Sequence, residues 1–376
     1  MSAAALAGTE DHPHARVSLA AALASGPSHA YLFHGPAGVG KREAARAFAA
    51  ELLADGASDA DGVRHRVHAG THPDLTWVRP TGAHVMRRSD VAQAVVEAAG
   101  RTPFEASRRV FVLERVDALN DEAANSLLKT LEEPASFVHL VLLTDSLGKV
   151  MDTVVSRCQL VRFDPLPPAR IAQVLESEGV PPSRALACAR LALGNGERAR
   201  LLASEEGQGL LDDAEAMVRV ALTPDPEAGA DQPWEGLLER AEVRREQAEA
   251  DVAAARDARL EGEPKGRERT ALERQFEESA KRDGRRARTG VLDLGLTLAA
   301  LTLRDLICLA EGAPEAALDP DRAQRLADAA GPRDTRRLRA AAERCEQARL
   351  ALTVNVTEDL ALEALGYRLA ALVGPR

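Results

Sequence analysis

The chain has 376 residues, of which 45% are apolar and 28% are charged, values typical of a soluble globular protein and not of a disordered or fibrous one. At about 100–200 residues per domain, this length predicts two or three domains. The net charge of −10 excludes bulk electrostatic attraction to DNA, and an aromatic content of 3% disfavours a nucleic-acid reader that works by base stacking.

The cysteines and the apolar stretches indicate the cellular setting. The four cysteines lie far apart without a CxxC pair, so we expect a reducing cytoplasm and no disulfide framework. The N-terminal residues lack the basic region and long apolar run of a signal peptide. The most apolar long stretch, Val291 to Ala310, contains Asp293, Arg304 and Asp305, so we interpret it as a buried helix and not as a membrane span.

Short apolar runs alternate with helical patterns in the first half of the chain. The runs that predict buried strands are Ala30–His34, Leu75–Val78, Val110–Leu113 and Leu140–Leu143, with a weaker fifth at Leu160–Phe163. The helical patterns are Lys41–Ala54, Arg88–Ala99, Glu122–Glu132 and Val150–Ser156. This alternation predicts an α/β fold with a parallel, doubly wound sheet, which ends near Pro165–Pro168.

The remainder is predicted to be helical. Residues 167–205 contain three short helices separated by Pro181-Pro182 and by Gly194-Asn195-Gly196. Residues 206–376 show only helical patterns, and the segment 235–289 holds 14 acidic and 14 basic residues with few apolar ones. Such a segment is a solvated helical hairpin, a coiled-coil arm or partly disordered, with Gly262–Gly266 as the turn of a hairpin.

A glycine-rich segment follows the first predicted strand and opens a predicted helix. It contains Gly35, Gly38, Gly40 and Lys41 in the G-x-x-x-x-G-K frame of a phosphate-binding loop. The glycines let backbone N–H groups surround phosphate oxygens, and the lysine supplies a positive charge. The next position should be the Ser or Thr that binds Mg²⁺, but it is Arg42, whose guanidinium cannot be a metal ligand.

The acidic motif that normally accompanies this loop is also altered. An active ATPase has Asp-Glu after the third strand, one carboxylate for Mg²⁺ and one to activate water. This chain has Glu114 and Arg115 there, and Asp117 lies at the wrong spacing to substitute for them. With two defects in the metal-binding apparatus, we expect the chain not to hydrolyse ATP by itself.

These motifs together resemble those of the AAA+ subunits of bacterial DNA polymerase III clamp loaders. The resemblance covers roughly residues 10–205 and is carried by the phosphate loop, VFVLERVDAL (110–119), NSLLKTLEEP (125–134), LLT (142–144) and SRC (156–158). An intact SRC triplet beside degraded phosphate-loop and acidic motifs is similar to the delta-prime type and not to the gamma/tau motor type. The resemblance implies an AAA+ domain (1–166), a small helical lid domain (167–205) and an all-helical collar domain (206–376) with a charged arm (235–289).

The resemblance also implies roles for individual residues. Arg157 matches the arginine finger that reaches ATP on a neighbouring subunit, since a planar guanidinium can hydrogen-bond the γ-phosphoryl oxygens. Alternatively, Arg157 caps a helix or pairs with a local carboxylate. Thr144, at the end of the fourth strand, matches a sensor position or is simply a strand-end threonine. Glu114 matches the degraded acidic motif.

The resemblance bears on cofactors too. Family members often have a four-cysteine zinc module before a Gly-Thr-His-Pro-Asp segment, which this chain retains at 70–74. The preceding stretch, Asp55–Val67, has no cysteine, so we expect a plain loop and no zinc there. His65, His68 and His72 have a spacing that leaves metal binding open. No cofactor is certain; ATP is expected on a neighbouring subunit, and weak binding by this chain is left open.

The favoured hypothesis is a subunit that does not hydrolyse ATP and acts within a clamp loader. The partners that the resemblance implies are gamma/tau-type and delta-type subunits and, through the complex, the sliding clamp and primed DNA. One alternative is a self-sufficient AAA+ ATPase of the gamma/tau motor type or a related remodelling protein. Another is a helical interaction protein with a vestigial AAA+ fold.

Overall fold

The computed structural model describes residues 6–80, 86, 91, 95–223, 232–261, 266–352 and 357–375. The chain divides into two compact units, one formed by Met1–Pro167 with Leu193–Glu197 and the other by Pro168–Ala192 with Arg198–Arg376. The separate boundary near residue 205 and the division into lid and collar domains stay predictions.

The first unit is built on a five-stranded parallel sheet. Its strands are β1 Ala30–His34, β2 Leu75–Val78, β3 Arg109–Leu113, β4 Val138–Thr144 and β5 Gln159–Arg162, in the spatial order β2-β3-β4-β1-β5. Alternate residues of the strands enter two apolar clusters: Tyr31 and Phe33 lie in one, and Leu32 lies in the other. Because both faces of the sheet are covered, the central strands β1 and β4 are almost entirely buried, and the predicted doubly wound α/β fold is confirmed.

Among the described residues, six α-helices accompany the sheet and position its loops. They are α1 Pro13–Ser25, α2 Lys41–Ala54, α3 Ala60–Ala69, α4 Glu97–Ala99, α5 Asp121–Glu132 and α6 Asp152–Val155. Short 3-10 turns lie at Val116–Ala118 and Leu147–Lys149. Much of the predicted helix Arg88–Ala99 lies outside the described residues.

The plain loop predicted over Asp55–Val67 is wrong, because helix α3 occupies most of this stretch. Asp59 caps the helix by accepting a hydrogen bond from the Gly62 N–H, and Gly70 ends it in the left-handed conformation. Val63 and Val67, four residues apart, are buried against the core. The Asn/Asp cap, the terminal glycine and this spacing were all present in the sequence as helix signals.

The described residues after Pro167 form helices and their short connections, as predicted. The helices are α7 Pro168–Ser177, α8 Pro182–Leu191, α9 Gly196–Ala203, α10 Glu205–Leu222, α11 Glu235–Leu260, α12 Arg267–Ala310, α13 Pro320–Ala330, α14 Thr335–Ala351 and α15 Glu358–Val373, with a 3-10 turn at Pro314–Ala316. No helix among the described residues is long and apolar enough to cross a membrane.

The charged segment 235–289 contributes two packed helices, α11 and the first half of α12. Of the 26 residues of α11, only Leu237, Ala241 and Leu260 are buried, which agrees with a solvated arm. Four residues of the predicted turn, 262–265, lie outside the described residues. The apolar stretch from Val291 was predicted as a separate helix, but it continues the arm helix without a break in the 44-residue α12.

Candidate functional site

The predicted phosphate loop joins β1 to the first turn of α2. Gly35, Gly38 and Gly40 have positive φ angles of 145°, 69° and 97°. A Cβ atom on Gly35 would lie 1.9 Å from the Phe163 carbonyl oxygen, and one on Gly38 would lie 1.8 Å from Asn195 Oδ1. The first and second glycines are therefore required by both backbone conformation and close approach, and the loop has the strand–loop–helix setting that the motif predicts.

Residues elsewhere in the same unit form hydrogen bonds with the phosphate loop. His12 Nε2 donates to the Val39 carbonyl oxygen at 2.7 Å, which fixes the ring tautomer because a carbonyl can only accept. The Gly196 N–H donates to the Gly38 carbonyl oxygen at 3.0 Å, next to the Asn195 side chain. Sequence reasoning missed these contacts, since His12 and Asn195 belong to no recognisable motif.

Lys41 directs its ammonium group back into its own loop. The side chain is 7% exposed, and Nζ donates to the Gly35 carbonyl oxygen at 2.6 Å and lies 2.8 Å from Asp145 Oδ1. It also donates to the Pro36 carbonyl oxygen. In a nucleotide-bound phosphate loop this lysine reaches the β- and γ-phosphates. Here a carboxylate and two carbonyl groups of the chain satisfy its charge and its donors.

Arg42 and Glu114, the two altered positions of the metal apparatus, contact each other. Arg42 Nη2 lies 2.7 Å from Glu114 Oε2, and Glu114 Oε1 accepts from Trp77 Nε1 at 2.6 Å and from Arg79 Nε at 3.1 Å. The Glu114 side chain is only 4% exposed. The Mg²⁺ that a phosphate-loop fold implies does not fit this donor set, because a guanidinium offers only N–H groups where the metal needs an oxygen ligand.

Thr144 ends β4 and is buried, with its hydroxyl fully bonded. Oγ1 lies 2.9 Å from Asp117 Oδ1 and 3.1 Å from the Ser146 carbonyl oxygen, and it accepts the Ser146 N–H at 3.0 Å. These contacts fit a threonine that shapes the turn after the strand. The sensor role of Thr144 stays a prediction.

Arg157 follows the short helix α6 and pairs with a carboxylate of its own chain. Its Nη2 lies 2.6 Å from Glu132 Oε1, at the end of α5, and its Nη1 donates to the Thr153 carbonyl oxygen at 2.9 Å. The side chains of Arg157 and Glu132 are 34% and 49% exposed. The SRC and NSLLKTLEEP segments thus meet at the surface. Burial raises the pKa of the adjacent Cys158 thiol to about 12, so this thiol stays protonated at neutral pH.

The three histidines considered as metal ligands are not brought together as a ligand set. His65 and His68 are exposed on α3, whereas His72 is buried. His72 Nδ1 accepts the Asp74 N–H at 3.1 Å, and Nε2 lies 3.0 Å from Glu105 Oε1. Among the described residues, no cluster of three or more His, Cys, Asp or Glu side chains could hold a metal ion.

Asp74, in the retained Gly-Thr-His-Pro-Asp segment, organises the loop before β3. Its fully buried carboxylate accepts the backbone N–H groups of Phe104, Glu105 and Ala106 at 2.6, 2.9 and 3.0 Å. Although burial acts to raise the pKa of Asp74, these three N–H groups and His72 bring it below the ordinary aspartate value. This explains the segment structurally, without a metal.

Comparisons with known proteins show what the first half of the chain is similar to. Residues 13–167 match the family described as DNA polymerase III, delta subunit. The chain is 36% identical over 183 residues to the DNA polymerase III subunit delta' of Bacillus subtilis, covering 48% of this chain and 55% of that one. It is 34% identical over 196 residues to the subunit delta' of Pseudomonas aeruginosa, covering 51% of this chain and 60% of that one.

A solved structure of a DNA polymerase III gamma subunit-related protein from Thermotoga maritima overlaps 96% of this chain and 99% of that one, at 14% identity and a TM-score of 0.47. The chain spans little more than half the length of the curated relatives it matches. Residues 13–167 are thus similar to the delta-prime subunits of bacterial DNA polymerase III, and the predicted resemblance to this type is confirmed.

Proposed function

We propose that this chain is a delta-prime-like, non-hydrolysing subunit of a bacterial sliding-clamp loader, and that it donates Arg157 to ATP bound by a neighbouring subunit. Its partners are subunits of the gamma/tau and delta types and, through the complex, the sliding clamp and primed DNA. Its setting is the cytoplasm, where it takes part in DNA replication.

The observation that carries the proposal is the surface position of the Arg157–Glu132 pair. Both side chains are partly exposed, and a surface ion pair contributes only about 0–1 kcal/mol to stability. Arg157 can therefore exchange Glu132 for a phosphate of a neighbouring subunit at small cost. A guanidinium placed on the γ-phosphoryl oxygens raises hydrolysis by about 10³–10⁵-fold.

The absence of hydrolysis by the chain itself is supported by a different set of contacts. The Lys41 ammonium group pairs with Asp145 and donates to loop carbonyl groups, and Arg42 forms an ion pair with the Glu114 carboxylate. An ATPase needs both the lysine and the metal-binding positions for the nucleotide. The self-sufficient motor alternative requires all of these contacts to be replaced.

The finger is tested in a loader reconstituted with gamma/tau-type and delta-type subunits, by its ATPase rate with clamp and primed DNA. Arg157→Ala should reduce hydrolysis at the adjoining site on the order of 10³-fold while the complex still assembles. Arg157→Lys should restore little, because an ammonium lacks the planar fork of donors. Arg162→Ala is the matched control, since Arg162 is a nearby exposed arginine paired with Asp164.

Glu132→Gln separates the finger from a purely structural pair. It releases Arg157 without removing it, so the finger proposal requires hydrolysis at the wild-type rate or above. If Glu132→Gln and Arg157→Ala instead reduce hydrolysis and thermal stability equally, the pair is structural and the finger proposal is wrong. Turnover of Mg·ATP by the purified chain alone would favour the motor-type ATPase.

A further inference from the structure

The carboxylate of Glu114 is a buried charge that the chain neutralises with its own side chains. It stands directly after β3, and Arg42, Arg79 and Trp77 supply its donors. A buried carboxylate is costly unless it is paired and hydrogen-bonded. In an active phosphate loop, part of this compensation comes from the divalent cation. Here the guanidinium of Arg42 supplies it at 2.7 Å.

The Arg42–Glu114 ion pair also connects two segments that are separated by one strand of the sheet. Arg42 lies in the first turn of α2, which follows β1, and Glu114 follows β3, while β4 lies between these two strands. The ion pair therefore connects the helix that closes the phosphate loop with a strand two positions away. A divalent cation held between a loop hydroxyl and an acidic strand end would connect these same two segments.

We propose that Arg42 is an internal replacement for the divalent cation, and that its pair with Glu114 keeps the phosphate loop attached to the end of β3 without metal or nucleotide. The two departures from the ATPase motif are then one coupled change. The dependence is stronger on the side of Glu114: without Arg42 this buried carboxylate keeps only the Arg79 guanidinium as a charged partner among the described residues, whereas the Arg42 side chain is 59% exposed and can be hydrated.

Lys41, one residue before Arg42, also pairs with a carboxylate at a strand end. Its ammonium group lies 2.8 Å from Asp145, which directly follows β4, so this pair connects the same loop to the strand between β1 and β3. Lys41 and Arg42 thus bind carboxylates at the ends of two neighbouring strands, β4 and β3. The inference extends the proposed lack of hydrolysis and does not depend on Arg157, so each can fail without the other.

The test is thermal unfolding of the purified full chain, in excess EDTA and in millimolar magnesium chloride. The wild-type protein should unfold at the same temperature in both solutions. Arg42→Ser restores the hydroxyl of the motif; in EDTA it should lower the unfolding temperature on the order of 5 °C, because Glu114 loses a charged partner. Magnesium should recover part of this loss, since the hydroxyl and Glu114 can then share a cation.

Three further variants complete the experiment. Arg42→Ser combined with Glu114→Gln should not respond to magnesium, because the carboxylate that holds the cation is gone. Arg46→Ser is the matched control one turn along α2: Arg46 donates to the His68 carbonyl oxygen and stacks on Trp77, so its loss should bring no magnesium response. Arg42→Lys keeps a positive charge and should stay independent of magnesium.

Several results would overturn the inference. One is a wild-type unfolding temperature that rises with magnesium as much as that of Arg42→Ser. Another is an Arg42→Ser protein that is as stable as the wild type in EDTA. A third is a magnesium response that persists after Glu114→Gln. If Arg42→Ser does not fold, Arg42→Lys tests the inference instead. A magnesium response in that variant would contradict the proposal that a side-chain cation at position 42 replaces the metal.

Discussion

The stability of the loop before β3 should depend on the charge of one buried residue, Asp74. Asp74→Asn preserves the shape of the side chain but replaces one carboxylate oxygen with an NH₂ group. In the better orientation, the amide oxygen still accepts the N–H groups of Glu105 and Ala106, and the NH₂ group faces the Phe104 N–H as donor against donor. The substitution thus removes one hydrogen bond and takes the charge from the other two.

The magnitude follows from these three bonds. A hydrogen bond to a charged group is worth about 1.5–3 kcal/mol and a neutral one about 0.5–1.5 kcal/mol. At the low end of these ranges, the lost bond costs about 1.5 kcal/mol and each weakened bond about 1 kcal/mol, which amounts to about 3.5 kcal/mol in the free energy of unfolding. For a unit of this size we expect the unfolding temperature to fall by about 7–14 °C.

The assay is urea and thermal unfolding of the full chain at neutral pH and in acid. Because the folded-state pKa of Asp74 lies below its ordinary value, its contribution is present above that ordinary value and is lost as the pH falls through the folded-state pKa. The difference between wild type and Asp74→Asn should therefore shrink in strong acid. Asp61→Asn is the control, since the Asp61 side chain is 96% exposed and only pairs with Arg64.

The reasoning fails if Asp74→Asn costs less than about 1 kcal/mol, the value of one ordinary hydrogen bond. It also fails if Asp61→Asn costs as much, because exposed and buried carboxylates would then be equivalent. A difference that grows in acid would contradict the sign of the pKa shift.

Three further predictions concern buried groups and the phosphate loop. Burial lowers the pKa of His34, His72 and His139, so the unfolded chain binds more protons than the folded one below about pH 6.5. The urea concentration at the unfolding midpoint should therefore decrease as the pH is lowered from about 7.5 to about 5.5. In His139→Gln this decrease should be smaller. Cys158, with its pKa raised to about 12, should react with iodoacetamide at mildly alkaline pH far more slowly in the folded chain than in urea, and equal rates would contradict its burial. Gly38→Ala should destabilise the chain because its Cβ would lie 1.8 Å from Asn195 Oδ1. Adding Asn195→Gly to this variant should relieve the clash but leave a strain of about 1 kcal/mol from the positive φ at residue 38. Thermal unfolding of the single and double variants measures both effects.

Much of the fold could be predicted because its signals are local. The predicted bounds of the strands Ala30–His34 and Leu75–Val78 and of the helix Lys41–Ala54 agree with the structure residue for residue, since apolar runs and the flanking turn residues define them within a few positions. Helix α3 was missed because the absence of cysteines dominated the interpretation of that stretch, at the expense of its cap and its valines.

The site was predictable residue by residue but not as a set of contacts. The motif frame located Arg42 and Glu114 as two separate defects. That they neutralise each other depends on the strand order, which brings the end of β3 within reach of α2. Likewise, Glu132 and Arg157 lie 25 positions apart in sequence, and no local pattern indicates that they pair.

The unbroken course of α12 constrains how the charged arm can change in length. Its 44 residues span about 66 Å, with the arm at one end and the buried Leu292–Leu306 region at the other. One residue inserted near Gly290 would rotate every arm side chain by about 100° about the helix axis relative to that core. An insertion of seven residues, about two turns, would return the arm side chains almost to their original direction relative to that core. Insertions and deletions in this arm should therefore be tolerated in heptad-sized steps, matched in α11, and rejected as single residues.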